Sequence, residues 1–201
     1  MLRLPDHVET DRLTIRRWLQ PGAPAMAAVT VTVTVTVTVT VTASVEHLRP
    51  WMPWVAHEPQ ATQDREKLIG SWQVDWELGG DAVHGIFTAD GEVAGGCGLH
   101  HRSEPTTLDI GYWVHVDHVR QGIATEVAAA LTGAAFTLPS IDQIRICHDR
   151  VNIASGRVPT KLSFTRGPDR DRTAEAPGES GVEWSWHMTR NDWPATTHLN
   201  Q

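Results

Sequence analysis

The chain contains 201 residues and carries a formal net charge of -7, with 17 Lys and Arg against 24 Asp and Glu. This acidic balance argues against a protein that wraps nucleic acid, because neutralising phosphates requires a dense basic stripe. The hydrophobic fraction of 40% and the charged fraction of 20% are typical of a globular domain. The length suits one α/β domain, so we expect a single domain over residues 1–201.

The cysteines and the apolar runs indicate the compartment in which the protein works. Cys97 and Cys147 are far apart and have no CxxC partner, which predicts neither a disulfide framework nor a zinc site. The first residues lack the apolar core of a signal peptide, and no apolar run reaches the ~18 residues that a membrane span needs. The histidines match no metal-ligand spacing. We therefore expect a cytoplasmic protein with no membrane partner and no metal.

A low-complexity repeat interrupts the first part of the chain, after a strand predicted over 13–18. Seven Val-Thr units run without a break from Val29 to Thr42. Alternation of β-branched residues at period two is typical of a strand. The flanks instead favour a helix that begins near Pro24 and ends before Pro50. We interpret the repeat as a tandem expansion inside a helix or helix-loop, without a function of its own.

The remaining elements follow from hydrophobic periodicity and turn residues. The helices are predicted over 61–78, 123–138 and 152–162. The strands are predicted over 82–88, 92–101, 108–116, 143–148 and 182–189, with a further strand beginning at 164 and a polar loop over 167–181.

The junction between the strand at 108–116 and the helix at 123–138 carries the chemical signal. The segment VRQGIAT opens an apolar helix, so several backbone N–H groups point at one spot beside the positive end of the helix dipole. Gly122 allows a close approach or a positive φ, Ala124 keeps the surface low, and Thr125 adds a hydroxyl. This arrangement predicts a pyrophosphate cradle.

The residues of this junction resemble those of the GNAT superfamily of N-acetyltransferases. The family signature is Q/R-x-x-G-x-G/A followed by a helix, and here Gly122 and Ala124 match it while Val119 departs from it. Other segments resemble the Rim-like branch, the ribosomal-protein N-terminal acetyltransferases and their small-molecule relatives. They occur in the family's order along nearly the whole chain: TDRLTIRRW, HLRPWMPW, DIGYWV, GIATEV, HDRVNIASGRVPTKLSF and WSWHMTRNDW.

The resemblance implies a fold, a co-substrate and an acceptor. The fold is α/β, or α+β, with a mixed and mostly antiparallel sheet of about six or seven strands, about four flanking helices and the Val-Thr repeat in the first helical region. The co-substrate is acetyl-CoA, held in a gap between the strands at 108–116 and 143–148. The acceptor is a primary amine, on a protein N-terminus or a small molecule. Whether the protein itself is a monomer or a homodimer stays open. The implied coenzyme contacts are Val114, His115, Val116, Arg120, Gln121, Gly122, Ile123, Ala124, Thr125, Asn152 and Ser155.

The resemblance also implies how protons move during the reaction. Asp109 lies close to where many family members place a general-base Glu, while its structural alternative is an edge carboxylate bonded to a loop. Ser155 matches a serine proposed near the thiolate, and Asn152 would contact the pantetheine arm or, alternatively, cap a helix. The acid tyrosine of many family members falls on Pro159, and Tyr112 is interpreted as structural.

Three hypotheses remain open from the sequence. The first is an active N-acetyltransferase whose pocket is shaped by the helix at 61–78, by Trp51 and Trp54, and by the loop at 167–181. The second is an acetyl-CoA-binding module that acts as a sensor or scaffold, which the departures at Val119, Pro159 and Ser163 favour. The third is an aggregation-prone relic crippled by the repeat.

Overall fold

A computed structural model describes residues 3–18, 26–102 and 104–194, and for 26–35 it describes the backbone alone. Pro24, the predicted helix start, lies outside these residues. The helices are α1 Met26–Leu48, α2 Thr62–Glu77, α3 Ile123–Phe136 and α4 Ile153–Lys161, with short 3-10 turns at Pro53–His57 and Val116–His118. The strands are β1 His7–Glu9, β2 Leu13–Arg17, β3 Ala82–Thr88, β4 Val93–His101, β5 Thr107–Val114, β6 Gln143–Asp149, β7 Thr165–Arg166, β8 Arg170–Asp171 and β9 Val182–Thr189.

The strands of the described residues form one sheet of nine, in the order β1-β2-β3-β4-β5-β6-β9-β7 with β8 also paired to β9. Every pairing is antiparallel except that of β5 with β6. The predicted mixed, mostly antiparallel sheet is confirmed, but the expected six or seven strands is wrong. The strand predicted to begin at 164 is β7, and the two strands that were not predicted, β1 and β8, contain three and two residues, too few for an alternating pattern to mark them in the sequence.

The central parallel pair holds together over only part of its length. β5 and β6 pair from Thr107–Gln143 to Asp109–Arg145. Beyond that point β5 stays paired with β4 as far as Val114, and β6 stays paired with β9 as far as Asp149. The facing edges of β5 and β6 therefore part toward their carboxyl ends, which opens a gap in the middle of the sheet.

Two hydrophobic clusters cover the faces of the sheet. Val127 and Leu131 of α3 belong to the same buried cluster as Leu99, Leu108 and Ile144 of the central strands. On the α1 and α2 side, a second cluster contains Trp18, Val37, Val41, Ile69, Phe87 and Val93. Because strand side chains alternate between faces, these clusters place helices on both sides of the sheet. Among the described residues, no helix is both long enough and apolar enough to span a bilayer.

The Val-Thr repeat lies within α1, and its burial follows the helical period. Val37 and Val41, four residues apart, are 3% and 2% exposed, whereas Val39 between them is 63% exposed. A repeat of period two also has period four, so a helix can place a column of valines on one face as a strand can. The Thr40 hydroxyl donates to the Thr36 carbonyl at 2.8 Å, which satisfies it within the helix. Burial against the sheet thus selects a conformation that intrinsic propensity disfavours.

Alanine substitutions within the repeat distinguish helix from strand. In a strand Val37 and Val39 would share a face, whereas in α1 they lie about 200° apart around the axis. We expect Val37→Ala to lower the free energy of unfolding by about 2 kcal/mol, because it empties a packed site. Val39→Ala, the matched control, should change it by less than about 0.5 kcal/mol. Urea denaturation measures both, and equal losses at the two positions would contradict the helix.

Candidate active site

The turn between β5 and α3 exposes a run of backbone donors. Gly122 caps α3 in the left-handed region at φ 83°, and Arg120 before it has φ 63°. The Gly122 carbonyl accepts the N–H groups of Thr125 and Glu126 at 3.0 Å, which starts the helix. The N–H groups of residues 120–124 donate to no acceptor within the described chain. The predicted cradle residues thus lie together at this turn, where free donors at the positive end of a helix can bind an anion.

An arginine from the start of the chain lies against this turn. Arg12 binds the Glu126 carboxylate, with Nε 2.9 Å from Oε2, and donates to the Gln121 carbonyl at 3.3 Å. Its guanidinium is also the nearest group, at 3.8 Å, to the position of a Cβ on Gly122. Thr10 donates to the same Glu126 at 2.6 Å. The hairpin between β1 and β2 therefore brings a cation to the turn, a contact across 114 residues that no local pattern indicates.

The predicted contacts at the end of β5 are partly occupied by the protein itself. The His115 N–H donates to the Ala94 carbonyl at 2.8 Å, and the Val116 N–H donates to the Ser44 hydroxyl at 3.2 Å. Val114 remains paired with Gly95 of β4. The N–H groups of His115 and Val116 are therefore not free for a ligand, and the His115 carbonyl already accepts the His118 N–H at 2.9 Å.

The start of α4 brings Ser155 and Asn152 to the parted strands. The Asn152 side chain accepts the Ser155 N–H at 3.2 Å, which is the helix-capping alternative considered from the sequence. The Ser155 hydroxyl lies 3.1 Å from the Tyr112 hydroxyl, which also donates to the Ser155 carbonyl at 3.2 Å. Burial raises the pKa of Tyr112 to about 12. Tyr112 therefore joins Ser155 at the gap as a protonated hydroxyl pair, a role that the sequence interpretation missed.

The Asp109 carboxylate lies away from the Ser155–Tyr112 pair and does not line the cavity. It accepts two hydrogen bonds from Arg145, from Nε at 2.8 Å and from the second nitrogen at 3.1 Å. This bidentate pair stands where β5 and β6 are still joined, and Asp109 is not among the residues that line the adjacent cavity. Both oxygens of the Asp109 carboxylate are engaged by the Arg145 guanidinium. The geometry therefore favours the structural alternative for Asp109 over the general base.

A cavity of about 580 Å³ lies on the α1 and α2 side of the gap. Its floor is the sheet at Gly96, Gly98 and Gly111, where side chains are missing from one face. The Trp113 indole lies across Gly96, since a Cβ there would be 2.5 Å from its Nε1. The glycines thus make room for rings that lie flat on the sheet, and the GGCG run in β4 is the sequence signal for this floor.

Several large aromatic side chains line the cavity. The loop Pro50 to Trp54, helix α2 and the segment after β8 all contribute, as expected from the sequence. The described tryptophans that line the cavity are Trp18, Trp51, Trp54, Trp72 and Trp113. An amine with an apolar flank would bury area against these rings.

The arginines that line the cavity are neutralised. Arg65 pairs with Glu58 at 2.5 Å with both side chains buried, and Arg172 pairs with Glu179 at 2.5 Å. Burial raises the pKa of Glu179, but hydrogen bonds from Arg172 and two backbone N–H groups outweigh it and hold the pKa below its usual range. Glu183 also lines the cavity and lies farther, at 3.9 Å, from Arg172. The described wall therefore offers no unpaired cation that would repel an ammonium group.

The fold and the site together define a class. An open mixed sheet whose central parallel strands part, with an anion-binding helix start after the first of them, is the architecture of the acyl-CoA-dependent acyltransferases that the sequence resembles. In the described part of the chain, no group of three or more His, Cys, Asp or Glu could hold a metal ion.

Comparisons with known proteins agree with this class. The model of the acetyltransferase (GNAT) domain family matches residues 12–165. YdaF of Bacillus subtilis (strain 168), which is named as a ribosomal N-acetyltransferase, is 26% identical over 129 residues, 63% of this chain and 69% of YdaF. RimL, a ribosomal L7/L12 alpha-N-protein acetyltransferase solved with coenzyme A, has a TM-score of 0.78 at 17% identity over 92% of this chain and 99% of its own. Mycobacterium smegmatis RimJ, in complex with CoA-disulfide, has a TM-score of 0.78 at 20% identity over 94% of this chain and 90% of its own.

The family match covers more than half of the chain, so the protein belongs to the GNAT acetyltransferase family. The prediction of an acyl-CoA-dependent N-acetyltransferase is confirmed, and the relatives agree with the predicted Rim-like branch. The two solved structures share the fold at low sequence identity.

One buried histidine next to the cavity couples stability to pH. The His84 side chain is fully buried, and its Nε2 lies 2.8 Å from the Pro5 carbonyl oxygen. Burial lowers its pKa to about 4. The unfolded chain therefore binds a proton below about pH 6.5 that the folded chain resists until about pH 4. This difference makes the folded state less stable as the pH falls through that window.

We expect the free energy of unfolding to fall by about 2 kcal/mol from His84 between pH 7 and pH 4.5, on top of smaller losses from other groups. His84→Gln should remove this component and flatten the pH dependence, whatever its effect at pH 7. His47→Gln, at an exposed position of α1, is the control and should leave the slope as in the wild type. Urea denaturation at both pH values measures the slopes, and an unchanged slope in His84→Gln would show that His84 is not the source.

Proposed function

We propose that this chain transfers the acetyl group of acetyl-CoA to a primary amine by direct attack of the amine on the thioester. One observation carries the proposal: β5 and β6 part toward their carboxyl ends, with a donor-rich helix start beside one strand and a cavity on the open face. Parallel strands present their carboxyl ends at the same edge, so α3 and α4 both begin at the gap. The relatives RimL and RimJ were solved with coenzyme A or its disulfide, which supports the choice of co-substrate.

The residues at the gap fit a coenzyme A group. Residues 120–125 would hold the diphosphate through the free N–H groups of 120–124 and the Thr125 hydroxyl, with the Arg12 guanidinium, paired to Glu126, beside them. The edge of β5 that faces the gap would hold the pantetheine arm by its backbone. The acetyl group would then enter the aromatic cavity, where approximation of amine and thioester supplies much of the rate enhancement.

Ser155 and Tyr112 are the groups we assign to the leaving thiolate. As the C–N bond forms and the C–S bond breaks, negative charge develops on sulfur and needs a hydrogen bond or a proton. The Ser155 hydroxyl, whose oxygen lies 3.1 Å from the Tyr112 hydroxyl, can donate it once the Tyr112 proton turns from the Ser155 carbonyl to the Ser155 hydroxyl oxygen. Burial keeps the pKa of Tyr112 at about 12, so this pair stays protonated throughout the neutral pH range.

The acceptor is a primary amine on a protein N-terminus or on a small molecule. The names of RimL and YdaF describe acetyltransferases of ribosomal proteins, which supports a protein N-terminus. The walls of tryptophan and the absence of an unpaired cation from the described lining suit either kind of amine.

Substitution of Gly122 tests the cradle. We expect micromolar, one-site binding of acetyl-CoA to the wild type by isothermal titration, and a loss on the order of 100-fold or more in Gly122→Trp, because the indole would fill the site. Gly91→Trp is the matched control, since Gly91 has almost the same φ, 82°, but lies in open space at a hairpin turn. No binding to a folded wild type would overturn the proposed function.

Removing the Ser155 and Tyr112 hydroxyl groups tests their proposed role in stabilising the leaving thiolate. We expect Ser155→Ala and Tyr112→Phe each to lower kcat by roughly 10- to 100-fold, since proton donation contributes about that much or more. The coenzyme KM should change little. The assay measures thiol release with a panel of amines: peptides with N-terminal Ala or Ser, a polyamine and an aminoglycoside.

The exposed Ser140→Ala is the control and should retain wild-type kcat. Full activity of Ser155→Ala would refute its role. Tight binding of acetyl-CoA without turnover on any amine would instead favour the binding-module hypothesis.

A further inference from the structure

A histidine and a carboxylate form a hydrogen-bonded dyad at the edge of the cavity. His100, near the end of β4, lies with its Nδ1 2.8 Å from Oδ2 of Asp81, the residue just before β3. The other Asp81 oxygen accepts the backbone N–H of His101 at 2.7 Å, and Arg102 donates to Asp81 at 3.3 Å. The carboxylate is therefore fixed from both sides, and it orients the ring with the proton on Nδ1.

The second nitrogen of this ring faces the open cavity. A Cβ on Gly98 would lie 2.6 Å from the His100 Nε2, and one on Gly111 would lie 3.3 Å from it, so the ring extends over both glycines. Gly111 lies two residues beyond Asp109, where β5 has already parted from β6. His100 lines the cavity, and within the described chain its Nε2 takes no hydrogen bond. A free lone pair thus lies at the edge of the gap through which a thioester would enter.

Other titratable groups near the cavity are already engaged. Asp109 is held by Arg145, and Glu179 is held by Arg172 and two backbone N–H groups. His148 has both ring nitrogens occupied, since Nδ1 lies 2.8 Å from the Asp149 carbonyl and Nε2 accepts from Trp186 at 3.0 Å. Glu183 lies 3.8 Å from Arg170 and 3.9 Å from Arg172, beyond hydrogen-bond distance, and is the remaining alternative.

Building on the proposed function, we propose that His100 is the base that takes the proton from the acceptor amine and that Asp81 is its positioning residue. The amine nitrogen forms the new C–N bond and gives one proton to Nε2 of His100, while the thiolate leaves with the electron pair of the C–S bond. Asp81 stabilises the imidazolium through Nδ1. The imidazolium then returns its proton to water, and the thiolate is protonated on the Ser155 side.

The charge on His100 responds to groups on several elements. Asp81 and Arg102 face it from the segments that flank β3 and β4, and Asp109, paired with Arg145, is its cross-strand neighbour on β5. Other charged groups line the same cavity from α2, from the loop after β8 and from β9: Arg65, Arg172, Glu179 and Glu183.

The test compares the pH dependence of kcat in four variants, at saturating acetyl-CoA between pH 6 and pH 9. We expect the wild-type kcat to fall at the acid end, because a base that already carries a proton cannot take one from the amine. His100→Gln should lower kcat by about 100-fold or more and lose this acid limb. Asp81→Asn should lower kcat by roughly tenfold and move the limb to lower pH, because the imidazolium loses its partner carboxylate. Both should bind acetyl-CoA as the wild type does by titration calorimetry.

His101→Gln is the matched control, since His101 is exposed next to His100, and it should keep both kcat and the limb. Should His100→Gln not fold, the shifted limb of Asp81→Asn still decides the question. The proposal would be overturned if His100→Gln kept the wild-type kcat and its fall at acid pH. It would also be overturned if Glu183→Gln, rather than His100→Gln, abolished that fall. A folded wild type that neither binds acetyl-CoA nor acetylates any amine overturns the proposed function and this inference together. An active His100→Gln overturns the inference alone.

Discussion

The parting of β5 from β6 is the constraint on which the site depends. After Asp109 and Arg145 each strand continues with its other neighbour, β4 or β9, so the edges that face each other no longer pair. Unpaired backbone groups in the middle of a sheet need other partners, and a ligand with amide groups supplies them. The Asp109–Arg145 ion pair closes the gap at its narrow end. The helices α3 and α4 begin at its wide end, where their first turns lie beside any ligand in the gap.

On the face of the sheet that α1 and α2 cover, three glycines leave room for a substrate. Gly96, Gly98 and Gly111 clear a floor on which the Trp113 and His100 rings lie flat, and α1 and α2 close over it with valine and tryptophan. The paired arginines keep this enclosed space free of unbalanced positive charge. In the proposed mechanism, the histidine oriented by a carboxylate and the Ser155–Tyr112 hydroxyl pair would divide the handling of protons between them.

Helix α1 shows that a low-complexity repeat can join a packed core. Every position of the repeat disfavours a helix, yet Val37 and Val41 fill a cluster with Ile69 and Phe87. The contacts of the last turns, including Ser44 with the Val116 backbone, tie α1 to the turn that precedes the cradle. The repeat therefore contributes a wall of the cavity, and its burial, rather than its propensity, explains its conformation.

The sequence by itself determined the features that depend on neighbouring residues. Helices α2, α3 and α4, the six longer strands and the left-handed glycine at 122 all follow from period and turn chemistry, and so does the donor cluster before α3. Only the tertiary structure decided contacts between distant residues: Arg12 with Glu126, Asp109 with Arg145, and His100 with Asp81. Those contacts depend on strand register and on which face each side chain takes, and a one-residue change of register reverses every face. The same reason explains why the sequence did not reveal that Arg145 holds Asp109 or that His100 pairs with Asp81.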